Sequence, residues 1–136
     1  MADVKKILIA DDEQQLALAM KIRLQSKGYQ VVTASDGRAA LDMAEAEQPD
    51  LVILDVLMPV MDGYSTLREL NTKFGRGKIP VIILTARDRM KDLFELEGIE
   101  DYVIKPFDHE DLLVRIERAF KRRESAAAKN PAAPAA

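Results

Sequence analysis

Apolar residues in this chain gather in short unbroken runs, separated by longer stretches of helical spacing. Ile7-Leu8-Ile9-Ala10, Leu51-Val52-Ile53-Leu54 and Val81-Ile82-Ile83-Leu84 are wholly apolar. Turn-forming residues bound them, Pro49-Asp50 before the second and Pro80 before the third. Short runs with no polar alternation read as strands buried on both faces, the condition of a parallel sheet. Tyr29 to Ala34 is rich in β-formers, and Tyr102-Val103-Ile104 makes a fifth strand.

The intervening stretches carry helical periodicity. Leu16, Met20 and Leu24 share a face, with Arg23 and Lys27 on the polar side and Gly28 as the stop. Ser35-Asp36 offers an N-cap to a helix through Ala40, Leu41 and Ala44. Tyr64, Leu67, Leu70 and Phe74 mark a third face, while Met90, Leu93 and Phe94 mark a short fourth helix closed near Gly98. Asp108 can cap a fifth with Leu112, Ile116, Ala119 and Phe120 inward; Glu110 and Asp111 in its first turn suit the helix dipole. Strict alternation of strand and helix predicts an α/β, doubly wound parallel sheet with right-handed crossovers and helices on both faces. From Glu124 the Ala-rich sequence with Pro131 and Pro134 offers no periodic apolar face. The expected organisation is therefore one domain over residues 1–123, then a disordered tail or the start of a linker over 124–136.

Composition narrows the class. The 136 residues suit one core, and 48% hydrophobic with 32% charged residues is ordinary for a soluble domain. A net charge of −3 argues against a general nucleic-acid binder. Arg115, Arg118, Lys121, Arg122 and Arg123 do make the last helix basic, and this reads as a solvated face diluted by Glu117 and Glu124. There is no cysteine, hence no disulfide framework or thiolate metal site. The N-terminal apolar run is too short for a signal peptide or a membrane span, so the cytoplasm is the expected location, with no membrane partner. His109, the one histidine, is expected at the surface.

The chemistry sits where the strands end. Asp11-Asp12 follows the first run, Asp55 the third strand, Thr85 the fourth and Lys105 the fifth. In a parallel sheet these ends share one edge, where open α/β folds place their ligands. Clustered carboxylates repel, so one keeps its proton or a cation sits among them. A hard divalent ion with oxygen ligands, Mg²⁺, fits. With Lys105 and the Thr85 hydroxyl it would stabilise a tetrahedral dianion beside Asp55, which could itself be a nucleophile forming an aspartyl phosphate.

Four stretches, in order, carry a resemblance: Ile7-Leu8-Ile9-Ala10-Asp11-Asp12-Glu13, Asp55-Val56-Leu57-Met58-Pro59-Val60-Met61-Asp62-Gly63, Leu84-Thr85-Ala86-Arg87 and Asp101-Tyr102-Val103-Ile104-Lys105-Pro106-Phe107. Over residues 5 to 123 the chain resembles the receiver domains of two-component response regulators, in the CheY-like superfamily. That resemblance implies a flavodoxin-like sheet of order 2-1-3-4-5. It implies phosphorylation of Asp55 by a sensor histidine kinase or phosphotransfer protein. Mg²⁺ would be held by Asp12, Asp55 and the backbone carbonyl of Leu57, with Asp11 acting largely through water. Lys105 would pair with the phosphoryl group across a cis peptide to Pro106. Thr85 and Tyr102 would form a switch pair driving a downstream protein target through the face of the fourth helix, fifth strand and fifth helix. Such a protein is no turnover enzyme; it catalyses its own phosphorylation and slow dephosphorylation. The segment from Thr85 to Lys105 is slightly shorter than is usual in the family, and the difference falls in the fourth helix.

Two other readings compete. A Mg²⁺-dependent phosphohydrolase of the haloacid dehalogenase type also uses an aspartyl phosphate, but needs a second Asp two residues beyond the nucleophile, where this chain has Leu57. An unphosphorylated pseudo-receiver scaffold would not need the full set of Asp11, Asp12, Asp55, Thr85 and Lys105.

Overall fold

The computed structural model describes residues 4–86 and 90–129. Arg87 and the segment 130–136 lie outside the described residues. The chain runs β1 (Lys6–Ala10), α1 (Gln14–Ser26), β2 (Gln30–Ala34), α2 (Gly37–Glu47), β3 (Leu51–Asp55), α3 (Gly63–Phe74), β4 (Val81–Thr85), α4 (Lys91–Leu96), β5 (Asp101–Ile104) and α5 (His109–Lys129). All four strand pairings are parallel, and the sheet order is β2-β1-β3-β4-β5. The architecture expected from the alternation of apolar runs is the one found.

Residues up to Pro106 form one compact unit and those from Phe107 another. Within the first, β3 and β4 are buried at every position. Alternate residues serve opposite faces: Leu8, Val52, Leu54, Val81 and Ile83 share a cluster with Leu41, Leu67 and Phe94 from α2, α3 and α4. The helix α1 buries Ala17, Met20 and Leu24. Leu16 is only half-buried, so the inward stripe of α1 starts one residue later than its large apolar residues suggest. Ala17 is small and lets the helix lie close to the strands.

Caps fall where the short acids stand. The Asp36 carboxylate accepts from Ala39 N–H at 2.8 Å and starts α2; Asp62 accepts from Ser65 N–H at 2.8 Å and starts α3. The six-residue α4 carries no side-chain N-cap. Donors from elsewhere secure its far end: Asn71 Nδ2 donates to the Glu97 carbonyl at 2.8 Å, and Tyr64 Oη to Glu97 Oε1 at 3.0 Å. The first of these satisfies one of the carbonyls that every helix end leaves open.

In the second unit Asp108 accepts from Glu110 N–H at 2.9 Å, and Leu112, Ile116, Ala119 and Phe120 are buried. His109 is half-buried, its ring edge-on to Phe107 at 5.1 Å. The helix α5 continues to Lys129. Residues 124–129, which the sequence reading assigned to the tail, lie within α5. Ala is the strongest helix former, so the run after Ser125 prolongs the helix.

Candidate functional site

The register of the sheet assembles the site. Ala10 pairs with Leu54, so Asp11 and Asp55 leave neighbouring strands side by side. Asp55 pairs with Leu84, one residue before Thr85, and Thr85 pairs with Ile104, one residue before Lys105. The backbone N–H of Lys105 donates to the Thr85 carbonyl at 2.7 Å, and the Lys105–Pro106 peptide is cis.

Asp11, Asp55 and Thr85 are buried, while Asp12 is exposed. One oxygen from each of Asp11, Asp12 and Asp55 lies within 4.8 Å of the others. Lys105 Nζ sits 3.0 Å from Asp11 Oδ2, 2.9 Å from Glu13 Oε1 and 3.5 Å from Asp55 Oδ2. Asp11 is also held on its other oxygen, which accepts from Glu13 N–H at 2.9 Å.

The electrostatics follow from this crowding. Burial first, then the negative charge of Asp11, pushes the Asp55 carboxyl from 3.8 up to about 7, against the opposing pull of Lys105. Burial pulls the Lys105 ammonium down, but its bonds to Glu13 and Asp11 outweigh this and leave it raised. A cation among these carboxylates would relieve their repulsion. The donors are all hard oxygens, as Mg²⁺ requires. Ligands around an octahedral ion at ~2.1 Å stand roughly 3–4 Å apart, and the three carboxylate oxygens here lie within 4.8 Å of one another. The residues present therefore fit the ion.

The loop after β3 is shaped by glycine and strain. A Cβ on Gly63 would run into the backbone oxygen of Asp55, and one on Gly37 into the Met61 carbonyl and Thr66 Oγ1. Val60 has φ +70°, and Met61 N–H donates to the Pro59 carbonyl at 2.7 Å, a γ-turn centred on a β-branched residue. Leu57 and Val60 are exposed on this loop. The position two residues beyond Asp55 thus carries an apolar, solvent-facing side chain and no acid.

Tyr102 is buried on β5, opposite Ile83. Its ring lies 6.0 Å from Phe94, which meets Tyr64 edge-on at 5.5 Å. A row of three aromatic rings thus joins β5, α4 and α3.

A sequence profile of the response regulator receiver domain matches residues 7–117. The chain belongs to the response regulator receiver domain family. It is 40% identical over 125 residues to the alkaline phosphatase synthesis transcriptional regulatory protein PhoP of Bacillus subtilis, covering 90% of this chain and 51% of that protein. It is 44% identical over 123 residues to the probable transcriptional regulator ycf27 of Cyanophora paradoxa, covering 89% and 50%. The chain thus spans about half the length of these relatives. Among solved structures, a CheY-like response regulator receiver domain protein of Methanospirillum hungatei superposes with a TM-score of 0.84 at 27% identity, covering 91% of this chain and 99% of that one. The response regulator TrrA of Thermotoga maritima, solved in complex with Mg²⁺ and BeF, gives 0.77 at 31% identity, covering 85% and 99%.

Sequence reading singled out Asp11, Asp12, Asp55, Thr85 and Lys105, and the receiver domain brings their strand ends together. It assigned no part to Glu13, whose side chain holds Lys105, nor to Gly37, on which the Met61 carbonyl rests. The run Asp11-Asp12-Glu13 was the available signal for the first; for Gly37 the sequence carries none beyond its place after an N-cap.

Proposed function

We propose that this receiver domain is a phosphorylation switch whose acceptor is Asp55. The observation that carries the reading is a buried carboxylate at the end of a central strand, with Asp11 beside it and Lys105 Nζ 3.5 Å away. The donor is a phosphohistidine of a sensor histidine kinase or phosphotransfer protein. An Asp55 oxygen attacks phosphorus, the O–P bond forms as the N–P bond breaks, and the imidazole leaves and takes up a proton. Lys105 supports the equatorial oxygens with positive charge, and the Thr85 hydroxyl donates to one of them. Asp12, Asp55 and the Leu57 carbonyl would hold Mg²⁺, with Asp11 partly through water; bound there, the ion supplies the positive charge that offsets the carboxylates facing an incoming dianion. The phosphoryl group then draws Thr85 towards it, and Tyr102 moves into the space behind. The surface of α4 and β5 changes and is read by a downstream protein. The domain does no turnover chemistry on outside substrates, and its place of action is the cytoplasm, whose reducing conditions suit a chain without cysteine.

The test is intact mass after incubation with acetyl phosphate and Mg²⁺. One phosphoryl group is expected on the wild type and none on Asp55→Asn or after EDTA. An Asp55→Asn protein labelled to the same extent refutes the acceptor.

A further inference from the structure

Lys105 has three N–H donors and, among the described residues, three carboxylate neighbours, and it does not share itself equally among them. The Asp11 and Glu13 oxygens stand at 3.0 and 2.9 Å, both full hydrogen bonds, while Asp55 stands at 3.5 Å. Glu13 differs from the other acids around this lysine. Its side chain is 61% exposed, and it lies outside the Asp11–Asp12–Asp55 cluster. It grips the lysine twice over: directly through Oε1, and indirectly because its backbone N–H fixes the Asp11 carboxylate whose other oxygen holds Nζ.

We propose that Glu13 is a positioning residue that holds the Lys105 ammonium back from Asp55 and so restrains phosphoryl transfer. This rests on the reading of Asp55 as acceptor. During transfer, negative charge builds on the phosphoryl oxygens beside Asp55, and a lysine donor aimed there lowers the barrier. The Glu13 carboxylate competes for that donor in a charge-assisted bond. Removing its charge leaves Lys105 in place, because Asp11 still binds it and its side chain is only 13% exposed. What changes is where the lysine can turn.

Glu13→Gln is the variant, since it keeps size and polarity. Two measurements are made: the rate of Asp55 labelling by acetyl phosphate with Mg²⁺, and melting of the metal-free, unlabelled protein in a double-mutant cycle with Lys105→Gln. Labelling is expected to accelerate roughly three- to tenfold, the scale of one charge-assisted bond lost from the resting state. Melting is expected to be non-additive, because the two residues touch. An unchanged or slower rate overturns the proposal. So does a faster rate with additive melting, which would mean that Glu13 acts only as a distant charge on the incoming dianion. Asp55→Asn run in parallel separates this from the parent reading: persistent labelling there refutes the acceptor itself, whereas a clean loss of label leaves the Glu13 result to be judged alone.

Discussion

At the scale of single residues, the site trades stability for charge. The raised Asp55 carboxyl means that the fold prefers it protonated. Its contribution to stability is therefore complete below the ordinary value of 3.8 and is lost as pH rises through about 7. Metal-free protein should lose stability across that window, and Asp55→Asn should not. At pH 8 the variant should be the more stable, by a gap that closes towards pH 4 and narrows when Mg²⁺ is added. Urea melts of both proteins at several pH values check this; parallel pH profiles would show that Asp55 is not strained. Val60 holds a second store of strain, at φ +70°. Glycine occupies that region without steric cost, though its own entropy offsets part of the gain. Val60→Gly should raise stability by about 0.5–1 kcal/mol, read from the denaturant midpoint.

At the scale of elements, the loop that follows Asp55 is set by its contact with α2. Gly37, the first residue of α2, leaves no room for a Cβ between the Met61 carbonyl and Thr66. Alanine there must push the loop or the helix aside. Gly37→Ala should cost about 1–3 kcal/mol, within the range of overpacked cores, and slow Asp55 labelling because the loop carries Leu57 and leads into α3. Equal stability and equal labelling would mean that α2 can slide without consequence. The short α4 shows the opposite arrangement. Its apolar anchor is Phe94, fully buried, while Leu93 and Leu96 face outward. Tyr64 and Asn71 of α3 hold its C-terminal end through Glu97.

At the scale of the whole receiver domain, signal transfer requires that chemistry on one strand end alter packing two strands away. Thr85 and Tyr102 sit on adjacent strands, and Tyr102 already packs against Phe94. Two packings of that aromatic row are enough for a population shift, driven by the difference in their phosphoryl contacts. Thr85→Ala should still take label on Asp55. It should lose most of the phosphorylation-dependent change in amide exchange over residues 90–105. A mutant that responds like the wild type would sever Thr85 from the switch.

The strands, their parallel arrangement and the edge on which Asp11, Asp55, Thr85 and Lys105 gather were legible in the sequence. Unbroken apolar runs admit few environments, and a parallel sheet puts all carboxyl ends together. Caps were legible for the same local reason: Asp36 and Asp108 act within three residues of themselves. Tertiary structure alone decided the rest. Nothing local says that Glu13 reaches a lysine 92 residues away, because that contact depends on two strand ends meeting across the sheet. Nothing in the pattern tells a helix-starting glycine from one on which a neighbouring carbonyl rests, as at Gly37. The register that places Asp55 beside Asp11 likewise exists only once β1 and β3 pair. Periodicity encodes which face of an element is buried; contacts between distant positions are fixed by packing, which no window of sequence contains.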